Sequence, residues 1–165
     1  MTTMPTSTSV EVRLPSRMGY EKVAMSTAAS VAKLMGFTPD RVEDLKTAIA
    51  EACINAIEHG NHFKEDLAVD VMLFISPRAL EVRVADNGLG ATTIIPPPDM
   101  DRKMHGDEPP RGLGMFLIRA LVDEAEWVTA SDDTGSYVRL VVRLAPGGKP
   151  NEAPAGRPES QPERQ

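Results

Sequence analysis

The apolar positions of the chain change period several times, and each change marks an element. Val10, Val12 and Leu14 alternate with polar residues, the period of a strand with one covered face; Pro15 and Ser16 end it. From Tyr20 to Met35, Val23, Ala24, Thr27, Ala28, Val31 and Leu34 recur at helical spacing, and Gly36 supplies the stop. Thr38 and Pro39 read as an N-cap and a first-turn proline. The helix they open runs to about His59, with Val42, Leu45, Ile49, Cys53, Ala56 and Ile57 on one face, and Gly60 and Asn61 close it. Leu67 to Ile75 and Ala79 to Ala85 alternate around Ser76-Pro77-Arg78, which predicts a hairpin. Helical spacing returns from Gly112 to Glu124, with Leu113, Leu117, Ile118 and Leu121 apolar. Glu126 to Ser131 and Ser136 to Leu144 flank Asp132-Asp133-Thr134-Gly135 and predict a second hairpin.

The order is therefore β-α-α-β-β-loop-α-β-β. It predicts a two-layer α/β (α+β) sandwich: a mixed, mainly antiparallel sheet with three helices on one face and water on the other. The loop, Ala91 to Pro110, holds five prolines and little periodicity; loops of this length inside a compact domain are often functional. The folded domain is expected over 9–144, after a loose segment 1–8. Residues 145–165 carry five prolines and no aromatic or large aliphatic side chain, so a disordered tail is expected there.

Composition narrows the function. A chain of 165 residues fits one domain. Its net charge of −6 weighs against direct nucleic-acid binding, which needs a basic footprint. Cys53 is the single cysteine, which excludes an internal disulfide and fits a reducing compartment. There is no apolar run of the roughly 18 residues a membrane span requires, and the polar N-terminus lacks the apolar segment of a signal peptide. A cytoplasmic protein is expected.

Three motifs carry candidate chemistry. Glu51 and Asn55 stand one turn apart on the same helix face, roughly opposite Ile49 and Cys53 and beside the small Ala48 and Ala52. On that spacing the pair points away from the sheet. By itself the pair reads first as a solvated face; the functional reading is a carboxylate able to accept a proton beside an amide oxygen able to ligate a hard cation. Asp86-Asn-Gly88-Leu-Gly90 follows a strand. Asp, Asn and Gly favour turns for local reasons, but a carboxylate there can also accept a hydrogen bond from an exocyclic amino group, with glycines letting the backbone approach a flat ligand. Arg111-Gly112-Leu-Gly114 opens an apolar helix, either as a hinge or as a phosphate cradle of helix-terminal amides, with Arg111 able to pair with a phosphate.

The order of these motifs resembles the N-box, first glycine box, lid and second glycine box of the GHKL ATPase superfamily, which includes gyrase, Hsp90, histidine kinases and MutL and has the Bergerat ATP-binding fold. More narrowly, Glu51-Ala-Cys-Ile-Asn-Ala-Ile-Glu-His-Gly-Asn61 and Arg111-Gly-Leu-Gly-Met-Phe-Leu-Ile-Arg-Ala-Leu-Val-Asp-Glu124 resemble the anti-sigma-factor serine/threonine kinases of bacterial partner-switching systems. The resemblance implies ATP and Mg²⁺ as cofactors. It implies Glu51 as the base for a nucleophilic hydroxyl, Asn55 as the Mg²⁺ ligand, and Asp86 as the adenine contact. Gly88 and Gly90 would shape the adenine pocket; Gly112 and Gly114 would approach the phosphates, with Arg111 near the terminal one. It implies as partners a STAS-type anti-sigma-factor antagonist, the phosphorylated substrate, and a sigma factor; homodimers are common in the family. The chain departs from the pattern in its proline-rich lid and in Gly135-Ser136, where Gly-Thr is usual.

The alternative is a non-catalytic module in which ATP only governs partner binding; Glu51 favours the enzyme. A self-phosphorylating histidine kinase would need an upstream phosphoacceptor histidine, and none precedes the N-box. A gyrase- or MutL-like machine would need further domains. His59 and His62 lack the third and fourth ligands of a closed zinc site and are read as helix-end or surface residues. Cys53 and Trp127 are read as core packing.

Overall fold

The computed structural model describes residues 8–86, 113–129 and 136–145. Five strands form one sheet: β1 (Thr8–Pro15), β2 (Ala68–Ile75), β3 (Ala79–Asp86), β4 (Glu124–Thr129) and β5 (Ser136–Arg143), in the order β1-β2-β3-β5-β4. The sheet is expected to be mixed and mainly antiparallel, and among the described residues all four pairings are antiparallel. Helices α1 (Glu21–Met35), α2 (Pro39–Asn55) and α3 (Leu113–Leu121) make the second layer.

Alternation decides which side the helices cover. Val69, Val71 and Leu73 of β2, Leu80, Val82 and Val84 of β3, and Val138, Leu140 and Val142 of β5 are all buried. Register stacks them across the sheet: Val12 faces Val71, Val71 faces Val84, and Val82 faces Leu140. Leu45 and Ile49 of α2 complete the core, exposed by 1% and 0%; each such side chain stabilises the fold by about 1.5–3 kcal/mol. The other face is polar. Arg139 bridges Glu81 at 3.1 Å and Glu124 at 3.3 Å, and Arg83 lies over Phe74 at 4.7 Å and Tyr137 at 5.5 Å.

The helix ends follow their local signals at three of the sites read from the sequence. Gly36 adopts φ 93 at the end of α1 and donates its N–H to the last-turn carbonyls, as a left-handed C-cap does. Thr38 Oγ1 accepts from Arg41 N at 3.4 Å, with Pro39 in the first turn of α2. Val23 and Leu34 of α1 are 45% and 74% exposed, and the face that meets the core is Ala24, Ala28, Val31 and Met35. Two expectations are corrected. Regular α2 stops at Asn55, and Ala56–Gly60 is a π-helical turn rather than a continuation to His59. α3 ends at Leu121, and Glu124 and Ala125 belong to β4. The lid 91–110, the second hairpin's turn and the segments 1–7 and 146–165 lie outside the described residues.

Candidate functional site

Glu51 and Asn55 both meet the start of α3. A Cβ built on Gly114 would stand 2.6 Å from Glu51 Oε2 and 3.7 Å from Asn55 Nδ2. The acid–amide pair therefore faces the first turn of α3, where helix N–H groups have no intrahelical partner, and not open solvent. The pair is half-buried against a neighbouring helix and does not form a solvated face. α2 is covered on a second flank by α3, and Ala48 and Ala52 on that flank are 0% and 1% exposed.

Asp86 ends β3 on the helix-covered face, in step with Leu80, Val82 and Val84. Its register partner is Val69. The backbone of Gly60 abuts it so closely that any Cβ there would collide with the carboxylate. Asn55 and Asp86 line one cavity of about 400 Å³, within the range of small-molecule sites. Val84, Val138 and Met115 give it apolar walls, and Asn55, Asp86 and Ser136 give it polar groups. That mix suits a flat heterocycle with an amino group.

At Gly60 and Gly114 the backbone packs directly on the Asp86 and Glu51 side chains, which already occupy the space a Cβ would take. A nucleotide fits this donor set: an acceptor for the base at Asp86, and helix-start amides for phosphates beside Asn55. Among the described residues no cluster of three or more His, Cys, Asp or Glu side chains could hold a metal ion. A cation at Asn55 would need oxygens from the ligand itself, which is how Mg²⁺ is commonly bound with phosphates.

Of the residues singled out from the sequence, the structure brings together Glu51, Asn55, Asp86 and Gly114. Gly88, Gly90, Arg111 and Gly112 lie outside the described residues. Ser136, noted as a departure from the family pattern, lines the cavity. Lining residues that sequence reasoning missed include His59, Met115, Arg119 and Trp127. Met115 and Arg119 are four apart on α3 and share a face, which was readable; that this face meets Trp127 on β4 was not. The Arg119 guanidinium lies over the Trp127 ring at 5.0 Å. Cys53 is core, as expected: burial first, and the Glu21 charge second, push its thiol up to about 12.

The histidine kinase-like ATPase domain family matches residues 14–142 of the chain. Serine-protein kinase RsbW of Bacillus cereus strain AH820 is 34% identical over 123 residues, 71% of this chain and 75% of its own length; the Bacillus thuringiensis strain Al Hakam protein of the same name is similar to the same extent. Among solved structures, the RsbU and RsbW domains of a Mycobacterium tuberculosis protein superpose with a TM-score of 0.59 at 18% identity, over 83% of this chain and 32% of that longer one. That likeness supports the fold.

Proposed function

Because the chain belongs to the histidine kinase-like ATPase family, in the branch of the serine-protein kinase RsbW, we propose that Glu51, Asn55 and Asp86 serve one phosphoryl-transfer site. The protein is an ATP-using serine/threonine protein kinase of the anti-sigma-factor type. Phosphoryl transfer depends on alignment and charge neutralisation more than on covalent help. Asp86 accepts a hydrogen bond from the adenine amino group, and the α3 start faces the phosphates. Glu51 takes the proton of the incoming serine hydroxyl as its oxygen bonds to the terminal phosphorus and the bond to the ADP oxygen breaks. Asn55 would hold Mg²⁺ through its side-chain oxygen. When bound, that ion neutralises the phosphates beside the Glu51 carboxylate, which would otherwise repel them.

One observation supports this reading above the others. Asn55 lines the cavity with Asp86, and it also meets Gly114 beside Glu51. It thereby links the cavity that Asp86 lines to the Glu51 carboxylate at the start of α3. Gly88, Gly90, Arg111 and Gly112 complete the same site in this proposal, with Arg111 at the terminal phosphate. The substrate is a STAS-type anti-sigma-factor antagonist, and the protein also sequesters a sigma factor.

Incubation with γ-labelled ATP, Mg²⁺ and a STAS-type antagonist tests the proposal. Label should move to an antagonist serine or threonine. Glu51→Gln should keep ATP binding and lose about 10²–10⁴-fold in transfer, the usual contribution of a positioned base. Nucleotide binding without any transfer by the unmodified protein would instead mark a binding module that ATP merely regulates.

A further inference from the structure

The end of α2 carries a feature that phosphoryl transfer does not by itself require. After Asn55 the helix widens into the π-helical turn Ala56–Gly60, a rare form that is often found at functional sites. The Asn61 N–H closes it on the Ala56 carbonyl at 2.8 Å. Asn61 is fully buried. Its side-chain amide donates to Ser16 Oγ at 3.0 Å and to the Ala68 carbonyl at 2.9 Å. Ser16 is buried too, and its N–H donates to the Leu67 carbonyl at 3.1 Å. The turn is thus tied to the end of β1 and the start of β2. One residue further along β2, Val69 is the register partner of Asp86.

Gly60 is where this clamped turn touches the site. A Cβ there would stand 2.5 Å from Asp86 Cβ and would also collide with Cγ and Oδ2. Rotation about χ1 could move the carboxylate away, but it cannot move Asp86 Cβ, which is fixed by the β3 backbone. Gly60 is not among the described glycines with positive φ, which are Gly19 and Gly36. Glycine is needed here for space, not for its dihedral freedom.

We propose that Gly60, pinned through Asn61 to Ser16 and Ala68, is a positioning residue that sets the Asp86 carboxylate and so determines selectivity for 6-aminopurine nucleotides. The inference rests on Asp86 being the base acceptor. The backbone of Gly60 forms one wall of the slot that the carboxylate occupies. With the turn held on two strands, that wall keeps the acceptor oxygen aimed into the cavity. A looser wall would let the carboxylate swing, and a bulkier one would displace it.

Calorimetry with ATP and with purine riboside triphosphate, which lacks the 6-amino group, tests this. The unmodified protein should prefer ATP by about 10-fold or more, the worth of one hydrogen bond to a charged acceptor. Asp86→Ala should abolish that preference. Gly60→Ala should abolish it as well, with a loss of affinity at least tenfold larger for ATP than for the analogue, and should change the ratio no further in the Asp86→Ala background. Asn61→Ala, which loosens the clamp without adding atoms, should reduce the preference partway and serves if Gly60→Ala does not fold. A Gly60→Ala or Asn61→Ala protein with full preference for ATP overturns the inference. So does an equal loss for both nucleotides, which would mark a merely structural role. If Asp86→Ala itself retains the preference, the acceptor reading fails and takes this inference with it.

Discussion

Glu51 and Gly114 are in contact across two helices: the carboxylate of one lies where the side chain of the other would be, with a built Cβ 2.6 Å from Oε2. The atom in the way is the free end of a flexible side chain. Gly114→Ala should therefore fold, with Glu51 rotating aside. Alanine also gains up to about 1 kcal/mol over glycine in a helix. Stability and activity should then move in opposite directions: an unchanged or higher melting temperature with phosphotransfer lowered at least tenfold. Full transfer activity in Gly114→Ala would show that the position of Glu51 is not what the glycine protects.

Cys53 gives a test of the core that is independent of nucleotide. Its thiol is buried and pushed up to about 12, against an ordinary value near 8.5. The native state then holds its proton in a window where the unfolded state has released it. Stability contributed by the neutral thiol is present below the ordinary thiol pKa and is lost as pH rises toward the folded value. A thiol reagent at neutral pH should modify the folded protein only as fast as it opens. Modification at the rate of a free thiol, without denaturant, would contradict the packing of α2 against the sheet.

Much of the fold was legible because its signals are local. Val71, Leu73, Val82 and Val84 alternate, and Thr38-Pro39 and Gly36 punctuate the helices where the chain turns. The end of α3 was not legible. Leu121-Val-Asp-Glu-Ala-Glu126 contains good helix formers, and no glycine or proline stops it. What stops it comes from elsewhere: Arg41 of α2 donates to the Leu121 carbonyl at 3.2 Å, and the Asp123 N–H donates to the Val141 carbonyl of β5 at 2.9 Å. The π-turn was missed for a related reason. A shift of one residue in hydrogen bonding over Ala56–Gly60 does not alter the apolar period, and its cause, the Asn61 clamp, lies in a contact with Ser16. That Asn55 would lie near both Glu51 and Asp86 was readable from the motifs and their order. The lining by Arg119 and Trp127 depends on β4 lying outside β5, which is a fact of sheet order.

Arg41 supplies the next prediction. Its guanidinium caps α3 at Leu121 and pairs with Asp123 Oδ2 at 2.8 Å, and the same oxygen accepts the Arg143 N–H at 2.6 Å. Because the group is partly exposed, Arg41→Ala should cost about 1 kcal/mol. Arg41→Lys keeps the charge but not the fork, so it should recover little of the loss. Denaturant titration of the three proteins decides between this and a surface charge without effect, for which all three midpoints would coincide.

The open face of the sheet should make stability depend on acid in a definite direction. Hydrogen bonds from Arg143 at 2.6 Å and then Arg139 at 3.3 Å hold the Glu124 carboxyl below the usual carboxylate range. The folded chain therefore binds fewer protons at Glu124 than the unfolded chain does within that window. By linkage this contribution is present above the ordinary glutamate pKa of about 4.3 and is lost as pH falls through the lower folded value. Glu124 and Arg143 are exposed and Arg139 is half-buried, so salt should weaken it. Melting temperatures of wild type and Glu124→Gln should differ most near neutral pH and low salt, with wild type the higher. The gap should close as the solution is acidified. A gap that stays constant with pH would mean that the glutamine acts through packing, and that the ion pairs on this face contribute nothing to folding.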